Sequence, residues 1–160
     1  TQLCEARGSA ELAGQRRTVE AGALRTHRWG PIGEAGRARF LTAATDDGTL
    51  LTVAAVRPAG AAAEGEELVG GQTIRAGEDR DAAPLSFETV RLSTVFGEGG
   101  LPVKAGAELY RPGDELPSRL AGVAATVPAE LPGGRASLTM FRFRLDGVPA
   151  LGAYEIEAGA

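Results

Sequence analysis

Histidine, tryptophan, cysteine, lysine and methionine each occur once in 160 residues. Each scarcity excludes something. With Cys4 alone, no intrachain disulfide and no zinc site of the cysteine type can be built. With His27 alone, a multi-histidine metal centre is ruled out, and a Ser-His-Asp triad would have to use His27 although no serine sits in a nucleophile-elbow pattern. No Walker loop and no Rossmann fingerprint is present, so neither a nucleotide cofactor nor a metal is expected. The net charge of -4 and pI near 5.1 argue against nucleic acid as a partner, since phosphate binding needs clustered cations and the arginines here are scattered. No apolar run approaches the ~20 residues of a membrane-spanning helix. The opening TQLCEARGSA does not read as a signal peptide, and with the low cysteine usage a cytoplasmic location is expected. The chain starts without methionine, which points to a processed product or a fragment.

What is present reads as one soluble globular domain over residues 1–160. Hydrophobic residues make up 43% and charged residues 24%, enough to enclose one core. Twenty-three glycines and nine prolines punctuate short alternating segments, and no amphipathic helix of ten residues is found. Strands are expected over Leu3–Leu12, Arg16–Trp29, Phe40–Thr45, Thr49–Val56, Glu67–Arg75, Leu85–Phe96, Val103–Tyr110, Leu120–Val127, Ser137–Leu145 and Ala150–Glu157. Asp46-Asp47-Gly48 and Asp146-Gly147 are hairpin-turn signals. Nine or ten sequential antiparallel strands close into a barrel or pack as a sandwich. The barrel is favoured because closure removes exposed edges.

Side chains alternate along a strand, so Val19, Ala21, Ala23, Arg25, His27 and Trp29 share one face of the second segment. That face starts apolar and ends in a cation, an imidazole and an indole, a profile that suits a small-molecule pocket. An imidazole such as that of His27 can serve as acid or base, Trp29 offers an aromatic face, and Arg25 offers a grip on a carboxylate or enolate oxygen. Set against this, a His beside a Trp is more often a hydrogen-bonded packing pair. Glu155 shares a face with Leu151 and Ala153; turned inward it would need a partner such as Arg25, and turned outward it is a solvated carboxylate. Phe141, Phe143 and Leu145 form an apolar wall, with Met140, Arg142 and Arg144 on the solvated side. Asp46 and Asp47 read as turn residues, Glu66 and Glu67 as solvated, and Cys4 as a small buried or edge residue.

The phrase Gly22-Ala23-Leu24-Arg25-Thr26-His27-Arg28-Trp29-Gly30-Pro31 resembles a G-x-x-R-D-H-x-W-G-P signature. That signature occurs in lipocalin-like proteins related to carotenoid 1,2-hydratase (hydroxyneurosporene synthase) and in the AttH-like group, including uncharacterised actinobacterial relatives. The segments Thr1 to Gly8, Phe40 to Leu50, and Leu145-Asp146-Gly147 with Gly152-Ala153-Tyr154-Glu155 are similar to flanking pieces in the same order. The resemblance implies an all-β, antiparallel lipocalin-like barrel of about 8–10 strands. It further implies that this chain is the C-terminal half of a two-barrel architecture.

For activity, the resemblance implies apolar substrates of secondary metabolism: polyenes, terpenoids or polyketide-like chains. It implies hydration, cyclisation or isomerisation of the lyase or isomerase kind, without a cofactor. His27 and Trp29 match the signature, but the family's Asp falls at Thr26, which cannot protonate an alkene. That leaves His27 and Glu155 as proton donors, with Arg25, Trp29, Phe141 and Phe143 against the ligand. Two other readings stand beside the enzyme: a non-catalytic carrier of a lipophilic ligand, and a structural half that forms a homodimer or packs against a second barrel.

Overall fold

The computed structural model describes residues 2–25, 35–61, 67–75 and 84–158. Its backbone divides into two compact units, Thr1–Gly30 and Pro31–Ala160.

The first unit is a hairpin of β1 (Gln2–Leu12) and β2 (Gln15–Arg25), paired in register from Gln2 opposite Arg25 to Leu12 opposite Gln15. Ala13 and Gly14 both take positive φ, 50° and 74°, the backbone that a two-residue hairpin turn requires. Arg7 lies opposite Glu20 and forms a 3.3 Å ion pair with it. Both side chains are about 70% exposed, so the pair contributes little. The sequence places the second segment in the barrel wall. Among the described residues, β1 and β2 pair only with each other. An alternating pattern predicts a strand but carries no information about which strand lies beside it.

The second unit is one antiparallel sheet of ten strands. These are β3 (Ala35–Thr45), β4 (Thr49–Pro58), β5 (Leu68–Arg75), β6 (Leu85–Ser86), β7 (Thr89–Phe96), β8 (Pro102–Tyr110), β9 (Ser118–Ala124), β10 (Ala129–Glu130), β11 (Ala136–Leu145) and β12 (Val148–Ala158). They lie side by side in the order β6-β5-β4-β3-β12-β11-β9-β8-β7, with β10 on β11. The expected segment Leu85–Phe96 is split: β6 pairs with β5 and β7 with β8, and Phe87 and Glu88 lie between them. That split joins the sheet's two ends. The Phe87 amide donates to the Gly71 carbonyl of β5 at 3.0 Å, and the Glu88 amide donates to the Tyr110 carbonyl of β8 at 2.8 Å. The sheet curls back on itself as a lipocalin-like antiparallel barrel wall. Among the described residues no helix is long and apolar enough to cross a membrane.

Alternation sorts each strand between lumen and outside. Leu41, Leu51, Val53, Leu109, Leu120, Phe141, Phe143 and Tyr154 point inward, each no more than 2% exposed. Each fully buried Leu or Phe contributes about 1.5–3 kcal/mol, so these inward side chains account for much of the unit's stability. The two lumen phenylalanines stack, with ring centroids 5.2 Å apart, and Tyr154 meets Phe141 edge-on at 5.9 Å. Each phenylalanine faces a glycine across the ladder: Phe143 opposite Gly122, Phe141 opposite Gly152. A Cβ on Gly122 would run into the Phe143 ring, and one on Gly152 would run into the Thr42 backbone. The Phe143 ring thus occupies the space that Gly122 leaves, while Gly152 lets the β3 backbone approach closely.

Candidate functional site

Arg39 brings a charge to the mostly apolar lumen face. In β3 it belongs to the inward set with Leu41, Ala43 and Thr45. Its guanidinium meets side chains from three other parts of the barrel. Nη1 donates to the Thr94 hydroxyl of β7 at 2.9 Å and lies 3.4 Å from the Tyr154 hydroxyl of β12. Nη2 pairs with the Glu67 carboxylate just ahead of β5. Thr94 and Tyr154 close the cluster with a 2.6 Å hydrogen bond of their own. β3 and β12 are neighbours in the sheet, but β7 is its far end. The network therefore crosses the lumen.

The electrostatics are those of a pair removed from water. The Arg39 and Glu67 side chains are only 11% and 13% exposed. Burial alone pushes the Arg39 pKa down, but the Tyr154 oxygen and the bonded Glu67 carboxylate outweigh it, so the net shift is upward and the cation is held. Two polar atoms beside this cluster have no hydrogen-bond partner among the described residues: Arg39 Nε and the hydroxyl of Thr139. Thr139 is fully buried and lies directly opposite Tyr154 across the β11–β12 ladder. An unmade hydrogen bond at a buried polar atom costs about 1–3 kcal/mol. One part of a mostly apolar lumen thus carries a cation, a carboxylate and three hydroxyls, with two of their polar atoms unmatched among the described residues. Such a site can orient a molecule that is apolar along its length and accepts hydrogen bonds at one end.

The residues expected from sequence fall in several places. Phe141 and Phe143 are in the lumen as their alternation requires, with Met140, Arg142 and Arg144 exposed on the opposite face. Glu155 faces the other way. It lies opposite Phe40 and Leu138 on the outer side of β12, while its neighbour Tyr154 takes the inward position. Arg25 is exposed on the two-stranded hairpin opposite Gln2 and lies on no strand of the ten-stranded sheet. His27 and Trp29 lie outside the described residues. Glu67, expected to be solvated, is instead the buried partner of Arg39. Asp46 and Asp47 do form a turn: the Asp47 carboxylate accepts from the Thr45 hydroxyl and, at 3.1 Å, from the Thr49 amide. Sequence reasoning missed Arg39, Thr94 and Thr139 altogether. The one available signal was at Tyr154: Gly152, Tyr154 and Ile156 form the more apolar set of their strand, opposite Leu151, Ala153 and Glu155.

No protein-family model matches the chain, and no curated protein matches it by sequence. Comparison with solved structures finds the crystal structure of an AttH candidate from Nitrosomonas europaea, with a TM-score of 0.62 at 15% identity. The fold is AttH-like. The superposition covers 97% of this chain and 49% of that one, so the chain spans about half the length of its structural neighbour. At that identity the likeness concerns the AttH-like fold. The Arg39 cluster is established by this chain's own side chains.

Proposed function

We propose that the AttH-like barrel binds an apolar small molecule, of the polyene, terpenoid or polyketide kind, with its polar end at the Arg39–Glu67–Thr94–Tyr154 cluster. The observation that carries this reading is the cluster itself, charged and buried in one part of a mostly apolar lumen. Holding an ion pair there is costly, since apolar residues of similar volume would be as stable or more so. A ligand that accepts from Arg39 Nε and bonds the Thr139 hydroxyl would recover part of that cost. For a cofactor-free hydration or cyclisation, the Tyr154 hydroxyl, hydrogen-bonded to Thr94 on the lumen side, would serve as the proton donor and acceptor in this reading.

The test is titration with retinol, an apolar polyene with one hydroxyl, followed by the rise of the retinol's own fluorescence on binding. The wild-type protein is expected to bind saturably. Arg39→Met/Glu67→Met, which removes both charges together, should bind about tenfold more weakly, the loss of one good charged hydrogen bond. Absence of saturable binding, or equal affinity in the double variant, ends the reading. Tyr154→Phe then separates carrier from enzyme, because a carrier keeps most of its affinity and an enzyme loses turnover. A second reading rests on the 49% coverage: the barrel packs on another of similar size. Sedimentation of the isolated chain tests it, a monomer at all concentrations arguing against a homodimer.

A further inference from the structure

The outer face of the barrel holds a feature that the lumen reading leaves unused. Reading across the ladders from β12 to β7, one outward row runs Leu151, Arg142, Val123, Lys104, Val95. Apolar and cationic side chains alternate along it. Leu151 is 66% exposed, Val123 51% and Val95 53%. The next outward row runs Pro149, Arg144, Ala121, Gly106, Ser93, mostly small residues. Beyond it Arg119, Glu108 and Arg91 stand side by side. Small residues between two taller rows make a trough. A cleft of about 780 Å³ lies along it, and a second opening between Ala121 and Glu108 continues its floor.

The charge of this trough runs against that of the whole protein, which carries -4. Five cations border it, Arg91, Lys104, Arg119, Arg142 and Arg144, against two acids, Asp46 and Glu108. Arg91 and Arg119 share Glu108 at 3.7 and 3.8 Å, and Arg144 donates to the Gly147 carbonyl at 2.8 Å. Arg142 and Lys104 have no such partner among the described residues. Both are cross-strand neighbours of Val123, so they sit roughly 10 Å apart, two strand spacings, on either side of one exposed apolar residue. Unpaired cations set between exposed aliphatics, in a cleft of small-ligand size, match an anion with an apolar body. The arginines that look scattered in the sequence are gathered here because β7, β8, β9 and β11 are consecutive in the sheet.

We propose that this outer trough is a second ligand site, distinct from the lumen, for an amphipathic anion: a carboxylate or phosphate ester on an apolar chain or ring, held between Arg142 and Lys104 over Val123 and Leu151.

The probe is 1-anilinonaphthalene-8-sulfonate, an apolar anion, with the neutral N-phenyl-1-naphthylamine as its uncharged counterpart. Arg142→Gln/Lys104→Gln alters two exposed side chains and leaves the fold intact. The sulfonate is expected to bind wild type at least fivefold more tightly than this variant, with the difference shrinking as NaCl rises from about 50 to 500 mM. The neutral dye should bind both alike, and retinol binding in the lumen should not change. Val123→Ser should weaken the sulfonate without altering its salt dependence. Displacement by dodecanoate or by dodecyl phosphate supports the site, and the stronger of the two identifies the head group. Equal sulfonate affinity in wild type and the double variant overturns the proposal. So does a homodimer that Leu151→Glu dissociates, because the trough is then covered by a second copy.

Discussion

Removing Arg39 alone should be among the most damaging single changes in the barrel, while removing it together with Glu67 should not be. Arg39→Met leaves the Glu67 side chain, 13% exposed in the intact pair, without a cation among the described residues, and strips Thr94 and Tyr154 of a donor. Breaking a buried pair from one side costs about 3–5 kcal/mol. Against a total stability of about 5–15 kcal/mol, that is a large fraction. For a unit of this size it corresponds to a fall in melting temperature of roughly 10 °C or more. Glu67→Met should cost a similar amount, since it strands the guanidinium. In Arg39→Met/Glu67→Met both desolvation costs vanish and methionine fills comparable volume, so the double variant should lie within about 1 kcal/mol of wild type. The resulting coupling of about 3 kcal/mol is read from a double-mutant cycle of urea melts followed by far-ultraviolet circular dichroism. The reasoning fails if Arg39→Met costs less than about 1 kcal/mol. It fails equally if the double variant is as unstable as either single one, because the cluster would then be held by something other than the mutual compensation of two charges.

The glycine–phenylalanine pairs make a second, directional expectation. Gly122→Ala should destabilise by at least ~2 kcal/mol through overlap with the Phe143 ring, and Phe143→Leu in the same chain should recover part of the loss. Gly152→Ala should be worse and not rescuable by a side-chain change, since its Cβ meets the Thr42 and Ala43 backbone; thermal melts of the four proteins decide both points. The hydrogen bonds from the Thr45 hydroxyl, first, and then from the Thr49 amide hold the Asp47 pKa below its usual value. Its native pKa is therefore lower than its unfolded one. Asp47 contributes stability above about pH 4, the unfolded value, and loses that contribution as pH falls through the depressed one. The difference in melting temperature between wild type and Asp47→Ala should be constant near neutrality and shrink below about pH 4. At the closing hairpin, Asp146 combines a φ of 49° with a 2.6 Å bond from the Arg119 amide to its carboxylate. Asp146→Ala should cost about 1–2 kcal/mol in urea melts and Asp146→Asn much less, because asparagine tolerates that backbone and keeps an acceptor.

The sequence by itself determined what is local. Alternation put Phe141, Phe143 and Leu145 on one face and Met140, Arg142 and Arg144 on the other, and the hairpin turns at Asp47 and Asp146 follow from their residue types. It also grouped Glu155 with Leu151 and Ala153, and that grouping is how they lie, on the outside. A period of two separates two faces without saying which one a closed sheet turns inward. That choice belongs to the curvature of the whole barrel. Only the tertiary structure decided that Arg39 points into the lumen and that Glu67, Thr94 and Tyr154 come to meet it from 28, 55 and 115 residues away. The same holds for the outward row of Leu151, Arg142, Val123, Lys104 and Val95, which exists only in the register of five strands. The physical reason is that both sites are made of cross-strand neighbours. Which residues become neighbours is set by strand order and closure, free-energy terms shared across the sheet and written in no single segment of the chain.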